Sequence, residues 1–474
     1  MSGLIVARVI GASDYGIFSL ARNLVEVTGI LTRLGLEIGL QRYFGEANAA
    51  RDHDSRIVVL RRIRLLVQAI ALLPVAAVAL GLGRVLEANV YHYSRFADVL
   101  LCLALALPFS TDLAVLGGAY RGILKLSPSV IAECVLLPTI RLAAIVVLFV
   151  AGWRLWAVVV GTTLGSVLAS AFLAMRARSD FRGDPPAQPQ SWVDAFRVLR
   201  YSSILAMAVL VVTLTSSMDI LMLGRFTTAQ DLGQYSLVKM LLVLMGVFGA
   251  AFGSGLGTLV AERYYRGDLE GMLRVMSSSA RWITLVTVPI FAVFLFWGAQ
   301  LTLLFGSSFA ASQAVVSWLA TSQFIFMIFG ASGWALSMTG RHLLELKILL
   351  AGLVIATLLC WFAVPAFGQL GAAVATCASV AIANLARLLI VRRSIGSFTF
   401  GRDIFIITAT GIGLAWCSNL ALAQVSVPPF WSAVCGIGIF VSAYAVVSWT
   451  HLLSEPEKSG ISGALRSRAR MLKS

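Results

Sequence analysis

The chain has 474 residues, of which 59% are hydrophobic and only 12% charged, with a mean hydropathy of +0.89. Soluble domains are about 45–50% apolar and about 25% charged, so this surface cannot face water and a bilayer must be its solvent. A formal charge of +15 therefore reads first as a marker of membrane sidedness; with no soluble basic domain, nucleic acid is excluded as a partner.

In chain order, apolar runs separated by short polar breaks occur at 16–41, 64–83, 97–119, 129–151, 156–176, 198–223, 233–260, 280–304, 313–337, 344–366, 370–391, 403–423 and 430–451. Each can cross about 30 Å of hydrocarbon at about 1.5 Å per helical residue. Alternating ten-residue strand patterns are not visible. The expected fold class is all-α: a polytopic integral membrane protein of about thirteen full transmembrane helices, preceded by an apolar stub, Gly3 to Ile10.

Most of the 37 Lys and Arg fall in alternate breaks and in the tail. This places those loops and the C-terminus in the cytoplasm. Trp153, Trp156, Trp297, Trp318, Trp361 and Trp431 then mark the outer interface. No cleavable signal peptide is expected. The six cysteines, Cys102, Cys134, Cys360, Cys377, Cys417 and Cys435, lie inside apolar runs and read as small free-thiol hydrophobes.

The polar stretch at 176–196, with Pro185-Pro186 and a capping-box pattern of Ser191 and Asp194, is the main linker. ARVIGASDYGIFSLARNL at 7–24 aligns with GRFTTAQDLGQYSLVKML at 224–241, an offset of 217 positions. The alignment pairs Arg8 with Arg225, Ala12 with Ala229, Asp14 with Asp231, Gly16 with Gly233, Ser19 with Ser236 and Arg22 with Lys239. Tyr120-Arg121 matches Gly340-Arg341 at 220. Because an even number of spans separates the copies, the two halves run parallel, related by an axis along the membrane normal around a central cavity. The expected organisation is an N-terminal half at 1–176, a linker at 177–197, a repeat half at 198–391, two extra helices at 392–451 and a basic tail at 452–474. The second half has a full helix before its copy, whereas the first has only the stub. This arithmetic predicts that further apolar residues belong upstream of Met1.

Charges at membrane depth mark the site, because each costs about 2.5–3.5 kcal/mol to insert. Arg22, Glu26, Arg33 and Glu37 fall within about 60° of one another on a continuous helix. Arg22 and Lys239 are repeat-equivalent cations expected to face one another across the cavity. Arg33 and Arg141 are further candidate cations, and Glu26, Asp112, Glu133 and Asp219 are candidate ion-coupling acids. Asp219 could instead pair with Arg225, and the Arg22/Glu26 and Arg33/Glu37 spacings also suit internal ion pairs. Arginine-rich cavities suit diphosphates. GSGLGT at 253–258 reads as helix packing. No metal, cofactor or nucleophile constellation is expected.

ARVIGASDYGIFSLA, MDILMLGRFTTAQDLGQYSL and GRHLLELKILL followed by FGQLGAAVAT resemble the polysaccharide (Wzx-type) flippases of the MOP superfamily, which are related to lipid II flippases and MATE exporters. The resemblance implies two parallel helical halves around a cationic cavity. It also implies rocking transport of an undecaprenyl-diphosphate-linked oligosaccharide across the bacterial inner membrane for O-antigen or exopolysaccharide synthesis. The partners it implies are that lipid-linked oligosaccharide, anionic lipid at the basic loops and tail, and other polysaccharide assembly proteins. A MATE-like drug or cation antiporter is the alternative; its substrates favour acids over a cavity of Arg and Lys. An O-antigen polymerase or ligase ranks lowest, because the longest outer loop, 84–96, is short.

Overall fold

The computed structural model describes residues 6–8, 10–49, 53–181, 192–394, 402–423, 429–453 and 457–458. Among these every regular element is helical. The first elements are α1 (Ala12–Arg33), α2 (Leu36–Ala49), α3 (Ile57–Tyr91), α4 (Phe96–Gly122), α5 (Leu126–Val150) and α6 (Arg154–Asp180). They are followed by α7 (Trp192–Phe226), α8 (Ala229–Tyr265), α9 (Leu269–Leu303) and α10 (Gln313–Met338). The last three are α11 (His342–Ser394), α12 (Arg402–Leu422) and α13 (Trp431–Leu452). Eleven of the helices are long and apolar enough to cross a membrane. The chain is a multi-pass membrane protein. Leu80, Val150 and Phe362, 89%, 83% and 73% exposed, are tolerable only against lipid.

Two expected spans lie within α11, which doubles back at Gly368, where φ is 55° and ψ −131°. A Cβ at Gly371 would overlap the carbonyl oxygen of Ala363, a contact that a straight helix cannot make. Much of the predicted linker, including Ser191, lies outside the described residues, as do half of the apolar stub and most of the basic tail.

One expectation needs correction. The run at 16–41 is not one helix. Leu34 (φ 50°) and Gly35 (φ 67°) are left-handed, and the Leu34 N–H returns to the Ile30 carbonyl at 3.1 Å, so α1 ends and α2 starts in a new direction. The four-charge stripe therefore does not extend past Arg33. Instead, Arg33 closes α1 and Glu37 opens α2, each at the end where the helix dipole favours its charge.

By its contacts the chain forms two compact units: Met1–Leu237 with Phe305–Phe309 and Leu353–Ala372, and Val238–Leu304 with Ala310–Gly352 and Ala373–Ser474. These units cut across the halves expected from the repeat. In the first, Leu36, Leu40 and Phe44 of α2 pack with Leu113, Leu116 and Tyr120 of α4 in one buried cluster. Lipid is as apolar as such side chains, so close fit rather than expulsion from water holds the helices together. The repeat explains one such fit. A Cβ at Gly16 would overlap the Ala229 carbonyl oxygen, and a Cβ at Gly233 would overlap that of Ala12. The two copies thus cross on each other through equivalent small residues four apart, backbone against backbone.

In the second unit Phe291 of α9 stacks on Phe324 of α10 at 4.4 Å. Pro289 interrupts α9 and cannot donate to the Leu285 carbonyl. The Tyr444 hydroxyl of α13 donates to that carbonyl instead, at 2.9 Å. The extra helices thus repair a defect that the sequence of α9 creates. Gly257, within the glycine-rich stretch of α8, packs on the Trp334 ring, as the helix-packing reading anticipates.

Candidate translocation site

Arg22 lies in mid-α1, solvent-exposed, although α1 packs against α3, α4 and α7. Among the described residues it makes no ion pair with Glu26 one turn away, which is exposed as well. Its charge acts on Arg141 of α5 and on Tyr15 of its own helix. Arg141 is half-buried because α6 approaches α5 closely there: a Cβ at Gly165 would lie 3.1 Å from the Arg141 Cβ. The first unit thus brings two of the expected cations, Arg22 and Arg141, into one electrostatic neighbourhood.

The other candidates sit differently. The Arg33 Nε donates to the Gly29 carbonyl at 3.0 Å, one turn back on its own helix. Glu37 keeps one carboxylate oxygen buried without a hydrogen-bond partner. Lys239, half-buried on α8, belongs to the second unit.

Three of the four candidate acids are engaged. Asp112, only 4% exposed, accepts from Arg64 Nε at 2.7 Å and Nη2 at 2.8 Å in a bidentate pair, with Ser170 Oγ at 3.3 Å. Arg121 Nη1 lies 3.4 Å from both oxygens of Glu133. Asp219, also buried, accepts from the Tyr235 hydroxyl at 2.8 Å, while Arg225 lies over the Phe226 ring. Only Glu26 is left without such a contact among the described residues.

Sequence reasoning missed a buried ion pair in the α11 hairpin. Arg387 Nη2 donates to Glu345 at 2.8 Å and Nη1 to Asn384 at 3.2 Å. Its signal was available: opposite charges at similar distances on either side of the Gly368 turn. It also missed Arg281 of α9, which bonds to Glu457, to the Leu452 carbonyl at 2.7 Å and to Asp403 at 3.3 Å. Arg281 stands 217 positions after Arg64, the repeat's own offset. Among the described residues no His, Cys, Asp and Glu group forms a metal site.

A model of the polysaccharide biosynthesis protein family matches residues 4–256, over half of the chain. The chain belongs to that family. A second model, MatE, matches residues 205–362. The "Probable low-salt glycan biosynthesis flippase Agl15" of Haloferax volcanii is 24% identical over 383 residues, which are 79% of this chain and 76% of that protein. Among solved structures, an inward-facing multidrug resistance MATE family transporter aligns with a TM-score of 0.68 at 14% identity, covering 83% of this chain and 93% of that one. The lipid II flippase MurJ in an inward closed conformation aligns at 0.67 and 13%, covering 92% and 96%. At such identities these two report a shared fold.

Proposed function

We propose that the chain flips an undecaprenyl-diphosphate-linked oligosaccharide across the bacterial inner membrane for O-antigen or exopolysaccharide assembly. The observation that carries this is the exposure of Arg22 where three of the four candidate acids are engaged. Arg22 is exposed on α1 and its charge acts on Arg141, whereas Asp112, Glu133 and Asp219 are engaged by Arg64, Arg121 and Tyr235. What remains is cationic and fits a diphosphate. We assign Arg33, and Lys239 as the repeat-equivalent of Arg22, as further substrate-binding cations. A drug or cation exporter would need free acids in that place. Kinship with the glycan flippase Agl15 and the fold shared with MurJ support a lipid-linked substrate. Glu26 is the acid left to couple an ion to transport, and the basic loops and C-terminus lie on the cytoplasmic face against anionic lipid.

The test is complementation of a flippase-null strain, with insertion monitored by membrane fractionation. Arg22→Ala, Arg141→Ala and Lys239→Ala should each abolish glycan export while the protein still inserts. Normal export by all three would overturn the assignment.

A further inference from the structure

The end of the first unit opposite the basic loops carries a set of contacts that no packing need explains. Gln369, just past the α11 turn, donates from its one amide nitrogen to Asp231 at 2.9 Å and to Gln234 at 3.1 Å. Gln234 passes the chain on, donating to the Ser308 carbonyl at 3.0 Å. One residue along, the Phe309 ring meets Tyr15 of α1 edge-on at 6.0 Å. Asp231 is itself held in place. Its carboxylate accepts from the Thr228 hydroxyl at 2.7 Å, and its N–H donates back to that hydroxyl at 3.2 Å, a reciprocal cap on α8. From the other side the Tyr93 hydroxyl donates to the Thr227 carbonyl at 2.7 Å; burial pushes that phenol up to about 12, so it stays a donor at any physiological pH.

These bonds surround the Gly16–Ala229 and Gly233–Ala12 crossing. Just past the crossing, Ser19 and Ser236 are buried, and the Ser236 hydroxyl has no hydrogen-bond partner. An unmet hydroxyl at that depth penalises the closed arrangement and would be relieved by water. A crossing of small residues ringed by polar side chains, with an unsatisfied group behind it, has the features of a contact built to be broken: good enough to hold, poor enough to release.

We propose that Gln369, Asp231, Gln234 and the Ser308 carbonyl form a clasp that closes this end of the translocation path over the glycine crossing, and that the clasp parts in every cycle. The clasp rests on the flippase reading for what passes through it, but its opening is measurable without any substrate. Gln369 acts as a positioning residue: it contacts no substrate and sets how often the crossing opens.

The experiment uses the full-length chain with its six native cysteines replaced by serine or alanine. In the first arm, Ser19→Cys reports on access from outside. A membrane-impermeant maleimide added to intact cells should label it slowly, and Gln369→Ala should raise the labelling rate several-fold, with Gln369→Glu, which meets the Asp231 carboxylate as a like charge, raising it further. In the second arm, Asp231→Cys with Gln369→Cys is joined by a short thiol cross-linker. Joining should hold Ser19→Cys at its slow rate and stop glycan export, and cleavage of the linker should restore both. Unchanged labelling in both Gln369 variants, or undiminished export by the cross-linked protein, would overturn the clasp. A clasp that opens as expected in a protein that exports no glycan would leave the clasp standing and refute the flippase reading alone.

Discussion

Helices α3 and α9 carry Arg64 and Arg281 at the repeat's offset of 217 positions, yet they have settled differently. Both contain a proline, Pro74 and Pro289. In α9 the carbonyl freed by Pro289 is taken up by Tyr444, and Arg281 is tied to Asp403, Glu457 and Leu452, all from the chain's last two helices and the segment after them. The helix runs unbroken for 35 residues, with half of its most apolar stretch buried. Among the described residues no side chain takes up the carbonyl that Pro74 frees in α3. Its Arg64 is satisfied within the first unit by Asp112, whose carboxylate also accepts from the Ser170 hydroxyl. Past Pro74 it loosens into π turns at Val78–Leu82 and Glu87–Tyr91, with Gly81 at φ 120°, and only 17% of its most apolar stretch is buried. A proline defect in lipid must be repaired by a neighbour or absorbed by local unwinding. One copy shows each solution, so the two extra helices act as a splint for the second.

The comparison can be broken most sharply at the paired arginines. Asp112→Ala leaves Arg64 facing a buried vacancy and should cost about 3 kcal/mol of stability. Asp403→Ala, at a carboxylate 61% exposed and with other partners still on Arg281, should cost less than about 1 kcal/mol. Thermal unfolding in detergent measures both, and equal losses would mean that the two arginines are held alike. Next come the two proline repairs. Gly81→Ala meets no atom within 4 Å, so its expected loss of about 1–2 kcal/mol comes from the left-handed backbone alone. Tyr444→Phe should lose about 1 kcal/mol through the Leu285 carbonyl. A Tyr444→Phe protein as stable as its parent would remove the splint from the account. The smallest effect lies at the entry to α9. Asp268 accepts from the Gly271 N–H at 2.8 Å and pairs with Arg263 at 2.6 Å, and the Arg263 guanidinium holds its carboxyl below the usual range, with the Gly271 N–H adding to this. Its contribution is therefore full above the ordinary carboxylate range and fades as pH falls through the lowered value. Asp268→Ala should depress the melting temperature slightly at neutral pH and not at all in strong acid.

The sequence made the spans legible because a long apolar run has one viable form in lipid. It concealed the turn at Leu34–Gly35, since Arg33 and Glu37 in LTRLGLEIGL also fit one face of a continuous helix and a single glycine among apolar residues does not by itself mark a turn. The turn at Gly368 was easier to see, with Pro365 and Gln369 beside it. Among the site residues, the depth of Arg22 and Arg141 could be counted along the chain, whereas the partners of Asp112, Glu133 and Asp219 could not. Arg64 lies 48 positions from Asp112, and only the packing of α3 on α4 brings them together. The repeat held a signal left unread: its offset of 217 relates Arg64 to Arg281, and its paired Ala12/Ala229 and Gly16/Gly233 lie at the crossing.

That crossing has a property of its own. Ala12 meets Gly233 while Gly16 meets Ala229, so each copy offers the other the patch it receives. This is the geometry of an isologous interface, self-complementary about a two-fold axis, of the kind that joins identical subunits in a dimer. Here it lies inside one polypeptide. The helix carrying ASDYG at 12–16 packs against AQDLG at 229–233, a diverged copy that keeps the alanine and glycine of the matching surface.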